Sequence, residues 1–275
     1  MPELPEVETV CASLRAKVEG RTIVDVCSPN GYERALAFSD EARDALRDAR
    51  ILEVRRRGKY ILFLLSRGVL VIHLRMTGRL MDLAPEDMKH VSGLITFDDG
   101  GALWFYDVRK FGRISWFSDI NEFERSARLG VEPLSDEFSP DYLYSLLRVS
   151  SRAVKPWLLD QRFVAGLGNI YVDESLWSAG IHPLSHGSSL SRDLVETLHD
   201  RVTAILGKSI ELHGTSFLSF YFDNNKQGSY ADLLKVFGRQ GTPCVRCGGL
   251  ISKIRVAQRG THVCPVCQIR YRREV

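Results

Sequence analysis

The sequence predicts an α+β chain of several domains: an N-terminal β-sandwich led by one helix, a helical middle, and a C-terminal β-hairpin stapled by metal. Three observations predict it. Between residues 22 and 117 short β-rich runs alternate with glycine turns, and beyond residue 140 the apolar period becomes helical. Near the end, two Cys-x2-Cys pairs stand sixteen residues apart. At 275 residues the chain is long enough to bury a core without cross-links.

Each element has its own warrant. After Pro5, the positions Val7, Val10, Cys11, Leu14 and Val18 keep helical spacing, so the chain opens with an amphipathic helix. Residues 22–26, 60–65, 69–74, 94–97 and 103–106 read as strands, with 66–68 and 98–101 as hairpin turns. Segment 129–140 is rich in breakers and reads as a linker. Helices are expected at 141–149, 154–161, 170–179 and 192–206, with a glycine-rich turn, Ala165-Gly166-Leu167-Gly168-Asn169, before the third. The expected domains are 1–133, 134–237 and 238–275. Cys11 and Cys27 read as core residues.

Cys244, Cys247, Cys264 and Cys267 have the spacing of a four-cysteine zinc ribbon, with 250–263 long enough for the hairpin that brings the pairs together. Four protein ligands leave no open position, so one zinc ion is expected in a structural role. Disulfides are the competing explanation. They are disfavoured because the N-terminus lacks the basic flank and apolar run of an export signal, which also points to a cytoplasmic protein. No stretch approaches the roughly 20 apolar residues of a membrane span.

The net charge of +3 hides a strong segregation. Residues 50–80 hold eight Arg and Lys against Glu53, and residues 235–275 hold nine against Glu274, while the rest of the chain carries 20 basic and 32 acidic residues. Basic runs are often only solvated faces, but two in one chain point to a polyanion such as nucleic acid. The hairpin expected between the cysteine pairs displays Lys253, Arg255 and, near its turn, Arg259.

The opening Met1-Pro2-Glu3-Leu4-Pro5-Glu6 carries a chemical possibility. A methionine followed by proline is trimmed in the cell, which leaves Pro2 as a free secondary amine. Terminal amines have pKa values of roughly 7.7 to 8.0, so a sizeable fraction is nucleophilic at neutral pH. The plainer alternative is that Pro2 starts a helix whose positive end the glutamates favour.

Six segments in register resemble one family: the opening Met-Pro-Glu-Leu-Pro-Glu-Val-Glu, Arg57-Gly58-Lys59-Tyr60, His73-Leu74-Arg75-Met76, Asp107-Val108-Arg109-Lys110-Phe111-Gly112, Gly166-Leu167-Gly168-Asn169-Ile170-Tyr171 and Ala257-Gln258-Arg259-Gly260-Thr261-His262. Together with the four cysteines, they resemble formamidopyrimidine-DNA glycosylase, the bacterial repair enzyme that excises oxidised purines such as 8-oxoguanine. The resemblance spans essentially the whole chain. It implies a monomeric bifunctional glycosylase and abasic-site lyase acting on damaged double-stranded DNA held in a basic groove, with a helix-two-turn-helix middle domain. Pyrimidine-directed relatives of the endonuclease VIII type usually open with Met-Pro-Glu-Gly, so Leu4 favours the purine branch.

The resemblance also assigns roles. Pro2 is the nucleophile that forms a Schiff base with the sugar C1′, Glu3 the acid that protonates the opening ring or departing base, and Glu6 an orienting or proton-shuttling neighbour. Lys59, on the basic strand, matches the proton donor of β-elimination, with phosphate binding as its alternative. Arg259 matches the arginine of δ-elimination, although a guanidinium is a poor acid and phosphate clamping suits it better. Flipping a base leaves a hole, and Met76, Arg109 and Phe111 match the residues that fill it, Arg109 facing the orphaned cytosine; without the match, Met76 and Phe111 read as core. Asn169 matches a phosphate contact shared with Arg259, or serves as a helix cap. His73, His90 and Lys155 match positions near the lesion or backbone, and Arg152 stands where several members carry a run of lysines.

Departures cluster in two places. The family's Lys-His-Asp-His-Val is here Lys89-His90-Val91-Ser92-Gly93, and loop 214–228 lacks the basic residue near Leu218 and the glycine near Asn225. That loop closes over the flipped base in the family, so lesion preference is the property most exposed to change. A pyrimidine-directed enzyme and a non-catalytic damage-binding protein are the two alternatives.

Overall fold

The computed structural model describes residues 1–272 except 37, 150, 217–220, 224 and 225. Two compact units divide it: Met1–Arg128 with Leu212–Ser229, and Leu129–Glu211 with the described residues from Tyr230 onward. Leu218 and Asn225, central to the expected lid, lie outside the described residues.

The first unit starts with α1 (Leu4–Val18), whose five expected apolar positions are all buried. Two four-stranded antiparallel sheets follow. One has the order β1 (Ile23–Cys27), β6 (Val91–Phe97), β7 (Ala102–Asp107), β5 (Gly78–Met81); the other runs β2 (Ile51–Arg57), β3 (Tyr60–Leu65), β4 (Val69–His73), β8 (Arg113–Phe117). A single core joins Ile23, Ile95 and Phe105 of the first sheet to Ile51, Phe63, Ile72 and Ile114 of the second and takes in the buried face of α1. The expected sandwich is therefore present, and the 66–68 and 98–101 turns close hairpins as expected.

Strands β2, β5 and β8 were not expected, and each is a sheet edge. Edge strands are typically short or charged, so they lack the apolar run that marks a central strand; Ile51–Arg57 ends in three arginines. Short helices α2 (Asp40–Leu46) and α3 (Ile120–Ala127) also went unanticipated. Cys11 is buried as expected, but Cys27 is half-exposed at the end of β1 and is not a core residue.

The second unit contains α4 (Pro140–Arg148), α5 (Val154–Leu159), α6 (Asn169–Ser178) and α7 (Arg192–Glu211). Ser139 caps α4 by accepting from the Tyr142 N–H at 3.1 Å. α7 runs five residues past the expected end because Gly207 lies inside the helix, where a lone glycine weakens but does not stop it. The linker 129–140 has no regular element before Pro140. Strands β9 (Ser252–Val256) and β10 (Arg259–Val263) form the expected hairpin. Its turn is Ala257-Gln258, both left-handed with φ 46° and 64°, the twist a two-residue hairpin demands. The hairpin packs in the same compact unit as the helices.

Candidate active site

Pro2 and Glu3 are buried at the start of α1, Glu3 with 3% of its surface exposed. Glu3 stands at the N-cap, and the Glu6 carboxylate accepts its backbone N–H at 2.8 Å. The other Glu6 oxygen accepts the Thr215 N–H at 2.7 Å. Glu6 thus fixes the entry of the chain into α1 and ties it to the 212–229 segment. Both oxygens hold backbone donors, which is an orienting geometry. Gly214 is left-handed at φ 79°, and a Cβ there would lie 2.8 Å from the Glu6 carboxylate, so the tie requires glycine. Lys17 holds the same segment through Asp223 at 2.5 Å, and Arg79 lies 4.3 Å from the Tyr221 ring.

The terminal amine, here that of Met1, has its pKa lowered, chiefly by burial. The Glu3 and Glu6 carboxylates pull in the opposite direction, and the Lys59 and Arg109 charges push it down further. Glu3, Glu6, Lys59 and Arg109 therefore share one electrostatic neighbourhood with the terminus. Lys59 does not lie in a strand as expected. It follows Gly58, left-handed at φ 55°, in the two-residue turn that joins β2 to β3, and it is 6% exposed.

Met76 and Phe111 are not core residues: they are 36% and 49% exposed on neighbouring loops. Met76 lies between β4 and β5, Arg109 and Phe111 between β7 and β8, and the Arg109 guanidinium lies 4.8 Å from the Phe111 ring centroid. The buried Asp107 joins the two loops. Its Oδ1 accepts from the Thr77 hydroxyl and from the Arg109 N–H at 3.2 Å, and its Oδ2 accepts the Gly112 N–H at 2.7 Å.

His73 ends β4, buried against Tyr60 with ring centroids 4.6 Å apart. Burial, reinforced by the Arg75 and Lys59 charges, pushes its pKa down to about 3. Its Nδ1 accepts the Arg75 N–H at 3.0 Å, so the neutral ring carries its proton on Nε2. With Arg75 and Arg113 it borders a cleft of about 260 Å3. His90 is half-buried, edge-on to Tyr106 and 3.7 Å from Asp87.

In the second unit, Asn169 is the first residue of α6, and Gly168 is its N-cap. The Asn169 amide reaches across to donate to the Gly260 carbonyl at 2.8 Å, which places it beside the exposed Arg259. The glycine turn and the hairpin thus meet at this hydrogen bond. Arg152 is exposed, 3.6 Å from Asp160 and over the Trp157 ring.

Lys155 corrects an expectation: it offers no surface to a nucleic acid. It is 0% exposed, and its ammonium donates to Asp173 at 2.5 Å and to the Thr261 hydroxyl at 2.8 Å. Asp173 in turn accepts the His262 N–H at 2.8 Å. Next to it, the buried Glu174 accepts the N–H groups of Lys235, Val236 and Phe237. These two carboxylates of α6 fasten the approach to the hairpin and β10 itself to the helical layer.

The four cysteine sulfurs lie within 4.8 Å of one another, and none is in a disulfide. Sγ–Sγ distances are 3.9 Å for Cys244–Cys267 and 3.5 Å for Cys247–Cys264. Zinc–sulfur bonds of about 2.3 Å in a tetrahedron give edges of about 3.8 Å, so the cluster fits one zinc ion. Cys244 and Cys264 also belong to a small core with Trp177, Val236 and Ile251, so the ion would staple the ribbon to α6.

Family models match in the order the fold displays: the formamidopyrimidine-DNA glycosylase N-terminal domain over residues 1–114, its H2TH domain over 129–220, and a zinc finger found in FPG and IleRS over 241–269. A formamidopyrimidine-DNA glycosylase from Exiguobacterium sp. is 42% identical across 98% of this chain and 100% of its own length. The chain belongs to the formamidopyrimidine-DNA glycosylase family. A second family member, from Bacillus cereus, is 40% identical over the same share of this chain and all of its own. Among solved structures, MutM in complex with DNA containing carbocyclic 8-oxo-G superposes with a TM-score of 0.88 at 39% identity, covering 97% of this chain and 99% of that one. The MutM (Fpg) protein of Thermus thermophilus gives 0.88 at 36% identity, covering 97% and 98%.

Within this family member, sequence reasoning missed the supporting residues. Asp107 opens the Asp107–Gly112 motif, where a carboxylate at the end of an apolar strand is a signal for a buried acceptor. Asp173 and Glu174 interrupt an α6 that is buried nearly all round; adjacent acids in such a helix mark polar ties.

Proposed function

We propose that this chain is a base-excision-repair enzyme that removes oxidised purines, 8-oxoguanine and formamidopyrimidines, from duplex DNA and then cleaves the abasic strand, acting in the cytoplasm. The observation that carries the reading is the buried terminus: Pro2 and Glu3 sit together, and burial, with the Lys59 and Arg109 charges adding to it, lowers the pKa of the terminal amine. Once Met1 is removed, the Pro2 nitrogen would occupy this neighbourhood in a more nucleophilic form.

The chemistry then balances. The Pro2 nitrogen forms a bond to the sugar C1′ as the bond from C1′ to the base breaks with its electron pair, and Glu3 supplies a proton to the departing base or opening ring. The nitrogen then loses its proton, and its lone pair breaks the C1′–O4′ bond, O4′ leaving as a protonated hydroxyl; the iminium so formed acidifies the C2′ hydrogen, whose removal expels the 3′-phosphate, and a second elimination expels the 5′-phosphate. Lys59, beside the terminus, serves proton transfer in the first elimination. Met76, Arg109 and Phe111 fill the space of the flipped nucleotide, and Arg259, Asn169, Arg152, His73 and His90 contact the backbone. Neutral His73 offers an Nε2–H donor whose charge state does not vary near neutral pH. The zinc ion holds the hairpin that carries Arg259 and takes no part in the chemistry.

The family and the buried terminus beside Glu3 favour an active enzyme over a passive damage binder. Borohydride trapping tests it. The protein should give a covalent adduct with abasic-site DNA, and Pro2→Gly should lose most of it. An undiminished adduct in that variant, or fully active protein that mass spectrometry finds still carrying Met1, would overturn the assignment. Parallel duplexes bearing 8-oxoguanine or thymine glycol measure the lesion preference.

A further inference from the structure

Two chain crossings between the sheets of the sandwich lie side by side. The 74–77 loop carries the chain from β4 in one sheet to β5 in the other, and the 108–112 loop carries it back from β7 to β8. All three residues read as filling the flipped-out nucleotide's space stand on these crossings. Polar contacts centred on Asp107 join the crossings.

Asp107 is 0% exposed, and among the described residues it forms no ion pair. Instead its two oxygens collect the Thr77 hydroxyl from one crossing and the Arg109 and Gly112 N–H groups from the other, while its own carbonyl accepts the Lys110 N–H at 3.2 Å. The Thr77 hydroxyl also accepts the Arg109 N–H at 3.1 Å, which closes the ring of contacts. Beneath the ring lies Phe105. A Cβ on Gly78 would come within 2.9 Å of its ring, and one on Gly112 within 2.2 Å, so both crossings are seated on the same aromatic floor.

Each crossing also carries a non-glycine residue in the left-handed region next to an exposed tip. Arg75 has φ 54° beside Met76, and Lys110 has φ 57° between Arg109 and Phe111. Such conformations cost energy and persist where the surroundings over-determine them. The Asp107 carbonyl holds Lys110 in this way, and the His73 ring holds Arg75.

We infer that Asp107 is a positioning residue that clasps the two crossings into one rigid wedge, so that Met76, Arg109 and Phe111 enter damaged duplex DNA at fixed spacing and Arg109 meets the base opposite the lesion in register. The inference rests on the reading of those three residues given above, and it adds that their spacing is set by a buried carboxylate which itself touches no DNA. A wedge of this kind matters only where a partner strand leaves an orphaned base. Its loss therefore separates reactions on duplex from reactions on single strands.

The test compares Asp107→Asn with the wild type on three substrates: 8-oxoguanine opposite cytosine, 8-oxoguanine opposite adenine, and a single-stranded abasic oligonucleotide trapped with borohydride. Asparagine keeps the volume but turns an NH2 group toward one crossing, leaving the Gly112 N–H without an acceptor or the Arg109 N–H with the Thr77 hydroxyl alone. Excision opposite cytosine should fall about tenfold and the cytosine-over-adenine ratio should shrink, while single-strand trapping is unchanged. Thr77→Val should reproduce the narrowed ratio, and Thr77→Ser, which keeps the hydroxyl, should restore it. An unchanged ratio in both Asp107→Asn and Thr77→Val refutes the inference, as does an equal loss on single-stranded and duplex substrates. Failure of the wild type itself to trap would refute the proposed reaction and is read independently of the ratio.

Discussion

Replacing Lys155 by methionine should destabilise the second unit severely, although the residue touches no solvent and carries no proposed chemistry. Its ammonium and the Asp173 carboxylate are both fully buried and 2.5 Å apart, and the ammonium also donates to the Thr261 hydroxyl. Removal of one partner strands the other charge, which retains the His262 N–H but loses its cation. Breaking a buried pair in this way costs about 3–5 kcal/mol. At about 2–4 °C per kcal/mol for a unit of this size, the lower bound already corresponds to a fall of about 6–12 °C in Tm. Trp157 and Trp177 both lie in this unit, so their fluorescence reports its unfolding. Asp173→Asn should also destabilise, since its amide opposes either the ammonium or the His262 N–H. The double variant Lys155→Met/Asp173→Asn should be more stable than the sum of the single losses, because it buries no unpaired charge. Duplex affinity should fall with stability, since β10 bears Arg259. A Tm change below about 2 °C for Lys155→Met, or additivity of the two substitutions within about 0.5 kcal/mol, would refute the reasoning.

Acid should weaken the first unit through His73. Its folded pKa of about 3 lies below the ordinary 6.5, so the unfolded chain binds the extra proton first. The stabilisation from keeping the ring neutral is complete above pH 6.5 and is lost progressively as pH falls toward 3. From pH 6.5 to 5 the loss is about 2 kcal/mol, and denaturant midpoints of His73→Gln should lack that component; parallel pH profiles for variant and wild type would contradict it. Chelation of the zinc, or Cys264→Ser, should release the ribbon and change Trp177 emission, because that ring shares a core with Cys244 and Cys264 and has Arg246 4.3 Å above it. Unchanged emission and duplex affinity after demonstrated metal removal would exclude the staple.

The amino-acid sequence determined the elements whose signal is local. Central strands such as Tyr60–Leu65 show as apolar runs, the helix Leu4–Val18 shows as a 3.6-residue period, and the cysteine pairs set a ligand geometry by spacing alone. The residues with assigned chemistry, Pro2, Glu3 and Arg259 among them, were legible because their types and motif positions carry the information. Tertiary structure decided what depends on partners distant in the chain. Edge strands form because a neighbour offers hydrogen bonds, which Ile51–Arg57 does not announce in its own composition. Lys155 turned inward because Asp173 and Thr261, eighteen and 106 residues away, make burial of its charge tolerable. Asp107 and Glu6 became ties because folding brought backbone donors to them. A side chain's type states which bonds it can make, but only the fold supplies the atoms at the other end.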